Sequence, residues 1–251
     1  MPDFFAYPFS DLSTVELSVL CAVTLLAGAV RGFTGFGAAM IFVPPVSVLL
    51  SPAVGVLLLF FVDGFITMPM VVGAARRCRW GEVLPIVAGA SLTAPFGAMV
   101  LASADPGLLA KALAVIVLLA VGLLASGWRY TRALPKMAVV GVGATAGFTG
   151  TLASLYGPPI VLFWLGGTAD TSTVRANLIT FFGLSMVISG ASFWLSDLFT
   201  WEVTIMGVWL IPVYGVALWF GAKGFGLASE KLYRYGALGV AGIMSAASLL
   251  F

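Results

Sequence analysis

Two stretches of this 251-residue chain carry the residue types that hold an anion. "RGFTGFGAAMIFVPPV" (31–46) and "AGFTGTLASLYGPPIV" (146–161) each interrupt a long apolar run with glycines, hydroxyls and a proline pair. A helix that restarts after such a break presents unpaired N–H groups and the positive end of its dipole, a natural seat for negative charge. Gly35, Gly37, Gly150 and Gly157 would let a ligand approach the backbone. Thr34, Thr149, Thr151, Ser154 and Tyr156 would add hydroxyl donors. Gly32 and Gly147 open the repeated Gly-Phe-Thr-Gly of the two breaks. The expected chemistry is therefore reversible binding of a small anion where the two breaks converge. Tight helix packing is the competing use of each single glycine.

Four polar residues extend the candidate set. Arg31 directly precedes the first break and reads either as an electropositive element of the anion path or as a snorkelling anchor. Arg175 begins the apolar run after the second break, with the same two readings. Asn177, two residues further on, would donate to an oxyanion or cap a helix. Asp63 lies within "LLLFFVDGFITMPM", where an ionised carboxylate costs at least about 2.5 kcal/mol in a bilayer. It must be protonated, paired or wet. It is the candidate for carrying a coupling proton or cation, against the alternative of a carboxylate satisfied by freed backbone N–H groups.

Other chemistries lack their residues. The chain has no histidine, no His-Glu metal motif and no nucleophile–base pair, so an enzyme is not expected, nor a cofactor or a metal. "GFTGFG" follows an apolar run rather than a strand and lacks the dinucleotide-binding glycine spacing. A formal net charge of +2 gives no reason to expect nucleic acid. Cys21 and Cys78 read as small buried hydrophobes rather than a disulfide pair.

The elements that must position these residues are membrane helices. The sequence is 61% hydrophobic and 9% charged, against about 25% charged residues in soluble domains. Runs such as Val54–Ala74, Leu108–Ala125 and Val203–Gly221 are long enough to cross about 30 Å of hydrocarbon. The acidic N-terminus lacks a signal-peptide pattern, so the first span is expected to stay. Three basic loops, around Arg76/Arg77/Arg79, Arg129/Arg132/Lys136 and Lys223/Lys231/Arg234, should all face the cytoplasm. They do so only if each broken stretch goes in and comes back, as two crossings or as a re-entrant hairpin.

Each half then makes five passes, and an odd number inverts the second half relative to the first. The expected fold is all-α and integral to the membrane: two inverted-topology repeats, with eight to ten transmembrane helices in all. The first repeat covers 1–130 (hairpin 14–50, spans 53–74, 83–103 and 107–126). The second covers 131–251 (hairpin 137–165, spans 174–195, 202–221 and 232–250). Both termini are expected outside, in a cell (inner) membrane.

The glycine-rich break with its prolines, then "GFTGTLASLYGPPIVLFWL" followed by "TVRANLITFFG", resembles the TauE/SafE sulfite exporter family. Gly157-Pro158-Pro159 with Arg175 downstream is the more specific part, and the resemblance spans essentially the whole chain. It implies a bacterial-type membrane transporter for sulfite, sulfonates or related small anions. Two positions depart from the family pattern. Ala38 and Ala39 follow Gly37, where the family's first motif is often richer in glycine. Tyr156 stands where a glycine commonly precedes Gly-Pro-Pro, a phenol that would narrow the cavity or stack on an organic sulfonate.

The expected activity is secondary transport by alternating access, the partners being a small anionic substrate and the lipid bilayer. Expelling one negative charge from a cell negative inside gains about 2.3 kcal/mol per 100 mV, so export needs no coupling ion. Import needs a proton or sodium ion. A passive anion channel and a transporter of a small carboxylate are the alternatives.

Overall fold

Glycine, proline and charged residues punctuate the apolar runs, and the helices end at that punctuation. The computed structural model describes Phe9, residues 12–34, 37–126, 135–165 and 170–224, and then 239, 242–243 and 245–247. Among these residues the chain forms α1 (Thr14–Thr34), α2 (Ala38–Leu49), α3 (Pro52–Ala75), α4 (Trp80–Ser103), α5 (Pro106–Ala125), α6 (Lys136–Ala153), α7 (Gly157–Leu165), α8 (Thr171–Leu195) and α9 (Trp201–Gly224). No strand occurs among the described residues. Most of the expected last span, 232–250, lies outside them.

Local chemistry sets the helix starts. Ser13 and Glu16 form a reciprocal capping box at α1: the Glu16 carboxylate accepts from the Ser13 N–H at 2.8 Å, and the Ser13 hydroxyl accepts from the Glu16 N–H at 3.3 Å. Pro52 and Pro106 open α3 and α5, where a missing N–H costs nothing. Asp170 caps α8 by accepting from the Ser172 and Thr173 N–H groups.

Six helices are long and apolar enough to cross a membrane: α1, α3, α4, α5, α8 and α9. The partners of the breaks are shorter. α2 has 12 residues and α7 has 9, which at about 1.5 Å per residue give roughly 18 Å and 14 Å.

The helices group into two compact units, each drawing on both halves of the sequence. One unit takes the chain up to Asp63, Asp105–Val121 and the chain from Leu198; the other takes Gly64–Ala104 and Gly122–Asp197. In the first unit α1 packs on α9 with backbone against backbone. A Cβ on Gly28 would lie 2.7 Å from the Tyr214 carbonyl oxygen, and one on Gly32 would overlap the Leu218 carbonyl. From the other side, a Cβ on Gly221 would overlap the Ala29 carbonyl.

In the second unit α6 packs on α4 in the same manner. Cβ atoms on Gly143 and Gly147 would overlap the backbone of Ile86 and Ala90, again one turn apart on both helices. At the place matching Gly221 and Ala29, the Thr93 hydroxyl donates to the Ala144 carbonyl at 2.6 Å. The core beside this crossing is apolar, with Ile86, Ala90, Ala146, Ile160, Trp164 and Phe181 all buried.

Candidate functional site

The first break belongs to the first unit. α1 ends at Thr34, and α2 restarts at Ala38 behind Gly37, whose φ of 92° lies in the left-handed region that glycine enters freely. Gly35 lies outside the described residues. Pro44 and Pro45 sit inside α2 rather than at its start. The break is therefore made by the glycines. The prolines act further along, removing the N–H groups that would bond the Met40 and Ile41 carbonyls. Gly32 meets α9 backbone, the packing role that competed with ligand approach.

Arg31 and Asp63 come together in this unit. Arg31 Nε donates to Asp63 Oδ1 at 2.8 Å, and the Tyr214 hydroxyl donates to the same oxygen at 2.9 Å. The two charged side chains are 13% and 27% exposed, and Tyr214 is fully buried. Of the three ways a carboxylate survives in this setting, pairing is the one adopted. The ion pair makes the local charge neutral and ties α1, α3 and α9 together just before the break.

The second break belongs to the second unit and is built from hydroxyls. α6 closes on Ser154, whose φ of 56° is left-handed for a residue with a side chain. The Thr149 hydroxyl donates to the Thr145 carbonyl at 2.9 Å and to the Leu155 carbonyl at 3.0 Å, while the Leu155 N–H donates to the Thr149 carbonyl at 3.2 Å. Thr149 thus staples the end of α6 to the chain that leaves it. Gly150 makes room for the Tyr156 ring, which a Cβ there would overlap. The Tyr156 hydroxyl bonds Ser189 Oγ of α8, and Ser189 Oγ also bonds Thr151 Oγ1 at 2.9 Å. Gly157 begins α7, with Pro158 and Pro159 in its first turn. Gly147, like Gly32, meets a neighbouring helix backbone.

Arg175 and Asn177 lie away from this cluster. Arg175 is exposed in the early part of α8. Asn177 is fully buried, accepts from the Arg79 N–H at 2.8 Å and donates to Glu82 Oε2 at 2.9 Å. Trp164 Nε1 donates to the same Glu82 oxygen at 3.2 Å, and Arg79 pairs with the other at 3.3 Å. Asn177 is therefore neither the cap of α8 nor a donor at the break; it holds the α3–α4 turn and α7 to α8. The capping Asp170 has its carboxyl held below the usual range by the Ser172 hydroxyl first, then by the Thr173 hydroxyl and amide.

Sequence reasoning missed Tyr214, Ser189, Glu82, Arg79 and Trp164 as partners. Only Ser189 left a trace, in the one-turn spacing of Ser185, Ser189 and Ser192 on α8. The rest are tertiary partners far along the chain. Among the described residues, no group of three His, Cys, Asp or Glu side chains is arranged to hold a metal ion.

Six membrane-length apolar helices, together with helices broken inside apolar sequence, define a multi-pass integral membrane protein. The family model for the sulfite exporter TauE/SafE matches residues 20–248, and the chain belongs to that family. It is accordingly a membrane transport protein and not an enzyme. No curated protein and no solved structure matches it.

Proposed function

We propose that the chain is a secondary transporter of small sulfur-containing anions, built from two inverted-topology repeats of about five passes, 1–130 and 131–251. It works by alternating access and holds its substrate on the amide hydrogens and hydroxyls of the two breaks. Its basic loops face the cytoplasm, and both termini face outward from an inner membrane.

The observation that carries the reading is the doubled helix pair that leads into each break. Gly28 and Gly32 of α1 meet the Tyr214 and Leu218 carbonyls; Gly143 and Gly147 of α6 meet those of Ile86 and Ala90. The same offsets turn Ala29 into Ala144 and Gly221 into Thr93. A repeat accounts for this three-point register more simply than coincidence does.

Depth supports the role of the first break. The turn after α2 shares a cleft of about 600 Å³ with Asp105 and the first turns of α5, at the end where that span meets the polar turn after α4. Gly37 therefore lies at most about 18 Å from that surface, within a hydrocarbon layer of about 30 Å. A break at such a depth is tolerated where it is buried in protein or lines a wet cavity.

Counterflow in proteoliposomes tests the proposal. Labelled sulfite or alkylsulfonate should accumulate faster against an unlabelled internal pool, and the rate should saturate. Linear flux without exchange would indicate a channel instead, and no flux of any sulfur anion would remove the substrate assignment.

A further inference from the structure

The second break gathers side chains that can donate hydrogen bonds but carry no charge. Thr151, Tyr156 and Ser189 form one hydrogen-bonded chain, and each is a neutral donor. Thr151 and Ser189 are 0% and 1% exposed. One turn before Ser189, on the same face of α8, Ser185 is 1% exposed and its hydroxyl has no hydrogen-bond partner. A buried hydroxyl without a partner costs about 1 to 3 kcal/mol, which a polar guest beside it would recover.

Most charged groups of the surrounding elements stand at helix ends; Asp63, midway along α3, is paired with Arg31. Arg76, Arg77, Arg79 and Glu82 flank the start of α4, Asp170 and Arg175 the start of α8, and Lys136 opens α6. Asn177, which binds Arg79 and Glu82, precedes Ser189 by roughly 18 Å of helix. Asp197, beyond the other end of α8, is acidic; α7 carries no charge.

We infer that the second break is an oxyanion subsite of neutral hydroxyls, Thr151, Tyr156, Ser189 and Ser185, selective for monoanions over dianions. The inference rests on the proposed transport of sulfur anions and names their charge. Stripping water from a dianion costs about four times as much as from a monoanion, because the charging energy grows with the square of the charge. Hydroxyl donors offer no full positive charge to offset that difference. Bisulfite and alkylsulfonates fit such a site; sulfite dianion and sulfate do not. The hydroxyls bond one another in the conformation described here and rotate toward an arriving oxygen.

The test compares methanesulfonate, sulfite and sulfate in counterflow on either side of neutral pH, using the full chain in proteoliposomes. Methanesulfonate flux should be flat with pH, because its charge does not change. Sulfite flux should rise as pH falls, in step with bisulfite, and sulfate flux should be negligible. Ser189→Ala should raise the KM for methanesulfonate about tenfold, the loss of one hydrogen bond to a charged group, and Ser185→Ala should do the same without touching the Thr151–Ser189–Tyr156 chain. Sulfate carried as well as methanesulfonate would overturn the inference, as would wild-type KM values in both serine variants. Absence of flux for all three anions would instead overturn the transport reading on which it rests.

Discussion

Replacing Asp63 with asparagine separates charge pairing from proton carriage. Two unit charges 2.8 Å apart attract by about 6 kcal/mol at an effective dielectric of about 20. Desolvation of both ions offsets most of that, so the pair contributes little net stability. Removing one partner is another matter: a buried charge left alone costs about 3 to 5 kcal/mol. Asp63 keeps 27% of its side-chain exposure, which places Asp63→Asn near the lower figure. The amide oxygen can still accept from Tyr214, so the loss reports charge rather than shape.

Arg31→Gln should cost a similar amount, and the double variant should recover most of it, because no lone charge remains. The measurement is thermal unfolding of the four proteins in one detergent, with a drop of roughly 6 °C or more for each single variant. Additivity of the two losses within about 0.5 kcal/mol would refute the pairing argument. Transport adds an independent reading. A double variant that regains stability and keeps the wild-type pH profile for sulfite removes Asp63 from proton coupling.

Backbone contact at the paired glycines makes a second prediction. Gly32→Val and Gly147→Val should each abolish folded protein in size-exclusion profiles. Gly73→Ala, with nothing within 4 Å of the added Cβ, should leave them unchanged; normal profiles from either valine variant would argue against the α1–α9 or α4–α6 crossing. A third concerns the start of α8. The folded carboxyl of Asp170 titrates below its unfolded value, so its stabilising effect is complete above the ordinary carboxylate range and is lost as pH falls through the lowered value. Protection of the Ser172 and Thr173 amides, taken relative to their intrinsic exchange rates, should persist below the ordinary carboxylate range, and Asp170→Ala should lower it at every pH; unchanged protection in the variant would discard the cap.

How far the sequence could be read depended on how local the signal was. Glycine pairs, prolines and charge clusters act on their own neighbours, so the interruptions that bound α3 and α5 could be read directly. The two breaks were visible for the same reason. Partners could not be read. Nothing beside Asp63 announces Arg31, which lies 32 positions away, or Tyr214, which lies 151 away. Asn177 sits near the start of a helix, where asparagine often caps, yet the cap is Asp170 and the amide reaches Arg79 and Glu82 instead. The proline pairs look alike in sequence but sit differently, deep within α2 and at the head of α7. Each glycine's use also depends on what lies opposite, which is why Gly32 and Gly147 resemble ligand-facing positions until α9 and α4 are seen behind them.

Aligning the two glycine pairs sets Arg31 opposite Ala146 and Tyr214 opposite Ile86, both buried among apolar side chains in the second unit. Ions therefore guard one interruption and hydroxyls the other, although both follow helices packed through the same glycine register. Ungluing the first means parting opposite charges, which solvent and salt can assist once they reach it; ungluing the second means only swapping one uncharged donor for another. Such lopsided wiring means that the two interruptions need not respond alike to the same ion.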